Sequence, residues 1–180
     1  MAVRARGGIE SLTSGRSPSM AIATFSLRRA TADDAAAMWT VRCDAIRQTC
    51  RSHYPVEMLE RWAATPLPET FGRRIEDEYV VVGIAGASIA GFAALKASDS
   101  LIDAVFVAPE DGRRGLGRQL LAHIEGVAIG CGLRVLRVNA SLNAVPFYAA
   151  AGYESISEGI YTTSAGVQIA CVRMEKPIAG

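Results

Sequence analysis

The sequence holds no C-x-x-C pair and only two histidines, His53 and His123, neither at metal-ligand spacing from Cys43, Cys50, Cys131 or Cys171. A zinc module is thereby excluded, and the cysteines read as reduced, mostly buried thiols of a cytoplasmic protein. No apolar run approaches the roughly 18 residues that a membrane span requires. Charge of one sign is missing too: 19 basic against 18 acidic side chains leave +1, so neither nucleic acid nor a membrane surface is implied as the main partner. No repeat or low-complexity segment appears beyond the first residues. Residues 1–24 are rich in Arg, Gly and Ser with Glu10 as their one acid, and they lack the apolar stretch of a secretory signal. They read as a disordered or artefactual leader, with Met20 placed to be the natural start.

What remains is 180 residues, half of them hydrophobic, enough for one globular unit with a real core. That unit is expected over residues 25–176, with 177–180 as a tail. Thr24–Arg29 alternates apolar and polar side chains as a strand does. Thr31-Ala-Asp-Asp34 reads as a helix cap, and Met38, Val41, Ala45 and Ile46 carry the helix to about Cys50. Pro55 opens a second helix with Val56, Leu59, Trp62 and Ala63 on one face, and a short helical piece surrounds Phe71 and Ile75. Tyr79–Ile84 and Ser88–Leu95 form a hairpin pattern, and Leu101–Val107 follows as a fourth strand. Strict alternation along that strand puts Asp103, Val105 and Val107 on one face.

The stretch after Val107 carries the chemistry. An apolar strand runs through Ala-Pro-Glu-Asp-Gly-Arg-Arg-Gly-Leu-Gly-Arg into a helix whose Leu116, Leu120, Leu121, Ile124, Val127 and Ala128 repeat at helical spacing, ended by Gly130 and Gly132. The first amides of a helix lack intrahelical acceptors and carry partial positive charge, so an anion fits there. Gly112, Gly115 and Gly117 permit close approach and positive φ, while Arg113, Arg114 and Arg118 add charge. A bound phosphate is the expectation. Rossmann dinucleotide binding is disfavoured, because the next strand, Arg134–Ala140, ends without the acid that binds a ribose. Asn143-Ala-Val-Pro-Phe-Tyr then reads as a short helix capped by Asn143 and closed by Gly152, before a last strand pair at Tyr153–Ser157 and Val167–Met174.

Val107-x-Pro-x-x-x-x-x-Gly-x-Gly-x-x-Leu-Leu resembles the coenzyme A pyrophosphate loop of the GNAT superfamily of N-acetyltransferases. Asn143-x-x-Pro-Phe-Tyr-x-x-x-Gly-Tyr resembles a second segment of the same family. The loop departs from the family pattern at Gly112, where Gln or Arg is usual.

The resemblance implies an α+β fold across about residues 25–176: a mixed, mostly antiparallel sheet, parallel splayed strands four and five, and helices on both faces. It implies acetyl-CoA as cosubstrate, held by Val105, Val107, Gly112, Arg113, Arg114, Gly115, Leu116, Gly117, Arg118, Asn143 and Phe147. The Val107 amide falls where the family binds the thioester carbonyl. Tyr148 falls where many members place the acid that protonates the departing thiolate, and a phenol is protonated at neutral pH.

Asp103 is the first candidate for the base that frees the acceptor amine, with Glu57 and His53 behind it. Tyr54 and Trp62 suit either an acceptor pocket or the core. Cys43 and Cys131 lack a local histidine, so direct transfer is favoured over an acyl-enzyme. The function so implied is acetyl transfer to a primary amine of a small molecule. A peptide or protein acceptor, or a regulatory module that binds acyl-CoA without turnover, is the alternative. The acceptor's identity and the oligomeric state, monomer or homodimer, stay open.

Overall fold

The computed structural model describes residues 25–163 and 165–178, so the leader expected at 1–24 lies outside the described residues. Seven strands form one sheet: β1 (Ser26–Arg29), β2 (Tyr79–Ala85), β3 (Ser88–Lys96), β4 (Leu101–Val107), β5 (Val135–Ser141), β6 (Glu154–Thr162) and β7 (Gln168–Pro177). Their order is β1-β2-β3-β4-β5-β7-β6, and only β4 and β5 are parallel. Between them run α1 (Ala35–Thr49), α2 (Val56–Ala63), α3 (Phe71–Asp77), α4 (Leu116–Gly130) and α5 (Val145–Ala150). The expected α+β class, with helices on both faces, is what the chain adopts. Structured chain continues past the expected boundary at 176, since β7 runs to Pro177 and Ile178 is buried.

The elements form for local reasons. The Thr31 amide donates to the Asp34 carboxylate at 2.8 Å and so caps the turn that opens α1. Val80, Val81 and Val82 are buried together, because β2 is covered on both faces. On one face Leu116, Leu120, Leu121 and Ile124 of α4 join a core with Leu95, Ile102 and Leu136. On the other, Met38 and Val41 of α1 and Ile75 of α3 pack against Val82 and Phe92. A third cluster joins Ile46, Leu59 and Trp62 to Ile169 of β7.

Two glycines set where α4 begins. A Cβ on Gly83 would stand 2.5 Å from Leu116 Cδ1, and one on Gly91 would stand 2.7 Å from the Phe106 carbonyl oxygen. Leu116 therefore drops into a notch on the sheet and anchors the first turn of α4.

The structure differs from the sequence reading at four points. Asn143 does not cap α5: it lies within a 3₁₀ turn, and Ala144 holds the cap position without a side-chain bond. β6 runs on to Thr162 although Glu154–Thr162 lacks apolar alternation; it is an exposed edge strand whose ladder comes wholly from β7. Cys131 is exposed while Cys50 and Cys171 are buried, and all four cysteines are free. Finally, Asp103 does not share a face with Val105 and Val107. Ala94 pairs with Ala104 and the next residue, Leu95, pairs with Ile102, so Asp103 is an unpaired bulge residue. The bulge reverses the alternation: Val105 and Val107 pack toward α4, whereas Asp103 reaches α3 through Arg74.

Candidate active site

β4 and β5 pair only at Leu101–Arg137 and Ile102–Val138, then separate. The parting begins at the Asp103 bulge, which bends β4 away from its parallel neighbour. Ala108 donates its amide to Ala90 of β3 at 2.7 Å. Amides alternate along a strand, so those of Val107 and Val105 face the opposite side, into the gap where β5 no longer pairs. A cavity of about 1100 Å3 fills this opening. It slightly exceeds the roughly 300–1,000 Å3 of single small-molecule sites, and leaves room for two reactants side by side.

One end of the cavity is the loop before α4. Gly112 has φ −59 and so does not use the left-handed region; the positive φ angles belong to Arg113 (59) and Gly115 (89). Among the described residues, no amide from Arg113 to Arg118 donates to a protein acceptor, and α4 has no side-chain cap. These bare donors at a helix start suit an anion. Arg113 and Arg118 line the cavity, and neither is paired with a carboxylate among the described residues. Arg114 is differently engaged: it pairs with buried Asp111 and lies over the Phe25 ring at 5.5 Å, bracing the loop from outside. The Leu116 side chain is core, which leaves only its amide for the cavity. A Cβ on Gly117 would touch Phe147 at 3.4 Å and Val107 at 3.6 Å, so these three residues make a narrow waist.

Tyr148 stands beyond that waist, 5% exposed, its ring edge-on to Phe147 at 5.0 Å and to Tyr153 at 5.5 Å. Its hydroxyl makes no hydrogen bond among the described residues, yet no fully buried side-chain oxygen lacks a partner. The hydroxyl oxygen is therefore open to the cavity that the residue lines. Burial pushes this phenol above its ordinary range, keeping it protonated. Asn143 also lines the cavity, and its Oδ1 accepts from the Cys50 thiol at 3.2 Å.

The far end is built by α1, α3, β4 and β6: Trp39, Arg42, Arg74, Asp103 and Tyr161, with Trp62 of α2 beside them. Arg74 donates to Asp103 Oδ2 at 2.8 Å, which leaves Asp103 Oδ1 available. Of the other residues weighed as bases, Glu57 is exposed outside this cavity and His53 Nδ1 bonds Ser52 Oγ at 2.8 Å on the surface. Tyr54 is core rather than pocket: its hydroxyl donates to the Ala170 carbonyl at 2.6 Å and accepts from the Leu142 amide at 2.8 Å. Trp62 does line the cavity. Trp39, Arg42, Arg74 and Tyr161 were not singled out by sequence reasoning. Arg42 has no motif around it, and Tyr161 lay beyond the expected end of β6.

The family model for the acetyltransferase (GNAT) domain matches residues 50–177. The chain belongs to the GNAT acetyltransferase family. As a GNAT enzyme it is an N-acetyltransferase that uses acetyl-CoA as cosubstrate. A GCN5-related N-acetyltransferase from Rhodopseudomonas palustris is 29% identical with a TM-score of 0.80, covering 88% of this chain and 99% of its own. The PaiA N-acetyltransferase from Thermoplasma acidophilum, solved with coenzyme A, is 19% identical at TM-score 0.67, covering 86% and 99%. An acetyltransferase from Salmonella typhimurium, solved with acetyl-CoA, is 17% identical at TM-score 0.59, covering 87% and 95%. No curated protein matches the chain. Among the described residues of this GNAT enzyme, no helix is long and apolar enough to cross a membrane, and no cluster of His, Cys, Asp or Glu could hold a metal.

Proposed function

We propose that this GNAT acetyltransferase transfers acetyl directly from acetyl-CoA to a primary amine of a small molecule. The observation that carries the reading is the opening between β4 and β5, into which an unpaired Val107 amide and a free Tyr148 hydroxyl both give. The bare amides of Arg113–Arg118, with Gly115 in the left-handed region, hold the diphosphate, and the cations of Arg113 and Arg118 flank it. The waist formed by Gly117, Val107 and Phe147 passes the pantetheine arm, with Val105 and Asn143 alongside.

Acetyl-CoA supplies an activated thioester. Val107 N–H stabilises the oxyanion formed when the amine attacks, an effect worth about 3 kcal/mol where single donors of this kind have been removed. Asp103 takes the proton released by the attacking nitrogen, directly or through one water. As the new C–N bond stays and the C–S bond breaks, Tyr148 gives its proton to the thiolate. No cysteine is needed: Cys43 donates to the Ala63 carbonyl at 3.1 Å, and Cys131 is on the surface.

A small acceptor is favoured because the far end of the cavity is lined by the aromatic side chains of Trp39, Trp62, Phe71 and Tyr161, which suit a compact apolar group. The four free thiols support a cytoplasmic setting. Free thiol release, followed at fixed acetyl-CoA over a panel of amines, tests the reading. Amine-dependent release supports it; tight acetyl-CoA binding without such release would make the protein an acyl-CoA sensor instead.

A further inference from the structure

Arg42 projects from α1 into the acceptor end of the cavity, half-buried and without a counter-ion. Each ion pair among the described residues involves some other cation. Arg74, the neighbouring guanidinium, is neutralised by Asp103 at 2.8 Å and Glu78 at 3.4 Å. The contacts Arg42 does make are weak: Nη2 donates to the Trp62 carbonyl at 3.4 Å, and Nη1 stands 3.9 Å from Cys43 Sγ. A guanidinium has five N–H donors, and most of these have no protein acceptor.

The group is nonetheless held in place. It lies over the Trp39 ring at 4.4 Å, and that ring is itself fixed by Nε1 donating to the Thr65 carbonyl at 3.0 Å and by edge contact with Phe71 at 5.0 Å. Burial disfavours the charged guanidinium here, and the Cys43 and Tyr161 side chains offset this only in part. A charge withdrawn from water, oriented on an aromatic platform and left unpaired is a site awaiting an anion. The planar fork of an arginine matches two oxygens of a carboxylate, whereas a polyamine would meet an uncompensated positive charge at this end.

We propose that Arg42 binds a carboxylate on the acceptor, so that the preferred substrates are small amines bearing a carboxylate, free amino acids being the simplest class. This rests on the acetyltransferase reading above and names its acceptor.

The test measures kcat/KM for matched pairs that differ only by the carboxylate, such as phenylalanine with phenethylamine and leucine with isoamylamine. The carboxylated member should be favoured by about ten- to a hundredfold, the range of a charge-assisted hydrogen bond to a desolvated group. In Arg42→Gln that ratio should fall toward one, and Arg42→Lys should restore it only partly. Because the readout is a ratio, a general loss of activity or stability in either variant cancels. Equal use of both members by the wild type, or a ratio untouched in Arg42→Gln, overturns the proposal while leaving the acetyltransferase reading intact. If no amine is turned over, that reading fails, and binding to the CoA-loaded protein decides: melting-temperature gain from N-acetylphenylalanine but not N-acetylphenethylamine, lost in Arg42→Gln, supports the carboxylate site, and equal gains overturn it.

Discussion

Replacing Tyr148 by phenylalanine separates chemistry from folding unusually cleanly, because the hydroxyl has no protein partner to lose among the described residues. The ring keeps its edge-on contacts with Phe147 and Tyr153, so no cavity forms and no hydrogen bond breaks. Removing a hydroxyl that opens on the cavity and has no protein partner is close to neutral, within about 0.5 kcal/mol, or a melting shift of no more than about 2 °C for a chain of this size. Coenzyme A affinity should be unchanged, since the phosphate-binding amides lie across the waist. The proton delivered to the thiolate is lost, however, and general acids contribute about a hundred- to ten-thousandfold. Turnover should therefore fall by at least about a hundredfold. Steady-state thiol release, equilibrium coenzyme A binding and thermal melting on the same preparations check the three statements. The pH profile adds a fourth: burial raises the Tyr148 phenol, so the wild type should show no loss of turnover from this group until pH passes the ordinary phenol value of about 10. A turnover loss of less than threefold, or a drop of several degrees in melting temperature with activity retained, would refute the assignment.

Gly115→Ala places a side chain at φ 89 with open space around its Cβ, so strain alone, about 1–2 kcal/mol, should lower stability. Relaxing that strain turns the loop amides, and coenzyme A should bind more weakly by calorimetry; unchanged affinity would count against the amide cradle. Tyr54→Phe strands the Leu142 amide and the Ala170 carbonyl and should cost about 1–3 kcal/mol in denaturant melts, with KM for the amine affected less than stability.

The local signals in the sequence determined much of this protein. The period of Leu116, Leu120, Leu121 and Ile124, the glycine-rich turn before them and the β-rich runs of β2 to β4 each depend on neighbours a few residues away, and such local signals are written directly in the chain. Tertiary structure alone decided what joins distant segments. β7 enters the sheet between β5 and β6, and its backbone pairing extends β6 where side chains give no pattern. A one-residue bulge turns Asp103 from the α4 side to Arg74, because alternation holds only while pairing stays in register. The i,i+3 spacing on α1 suffices to set Arg42 over Trp39, but packing of α1 against α2 and β4 was needed to bring that pair to the cavity with Tyr161 of β6, which no spacing along the chain encodes.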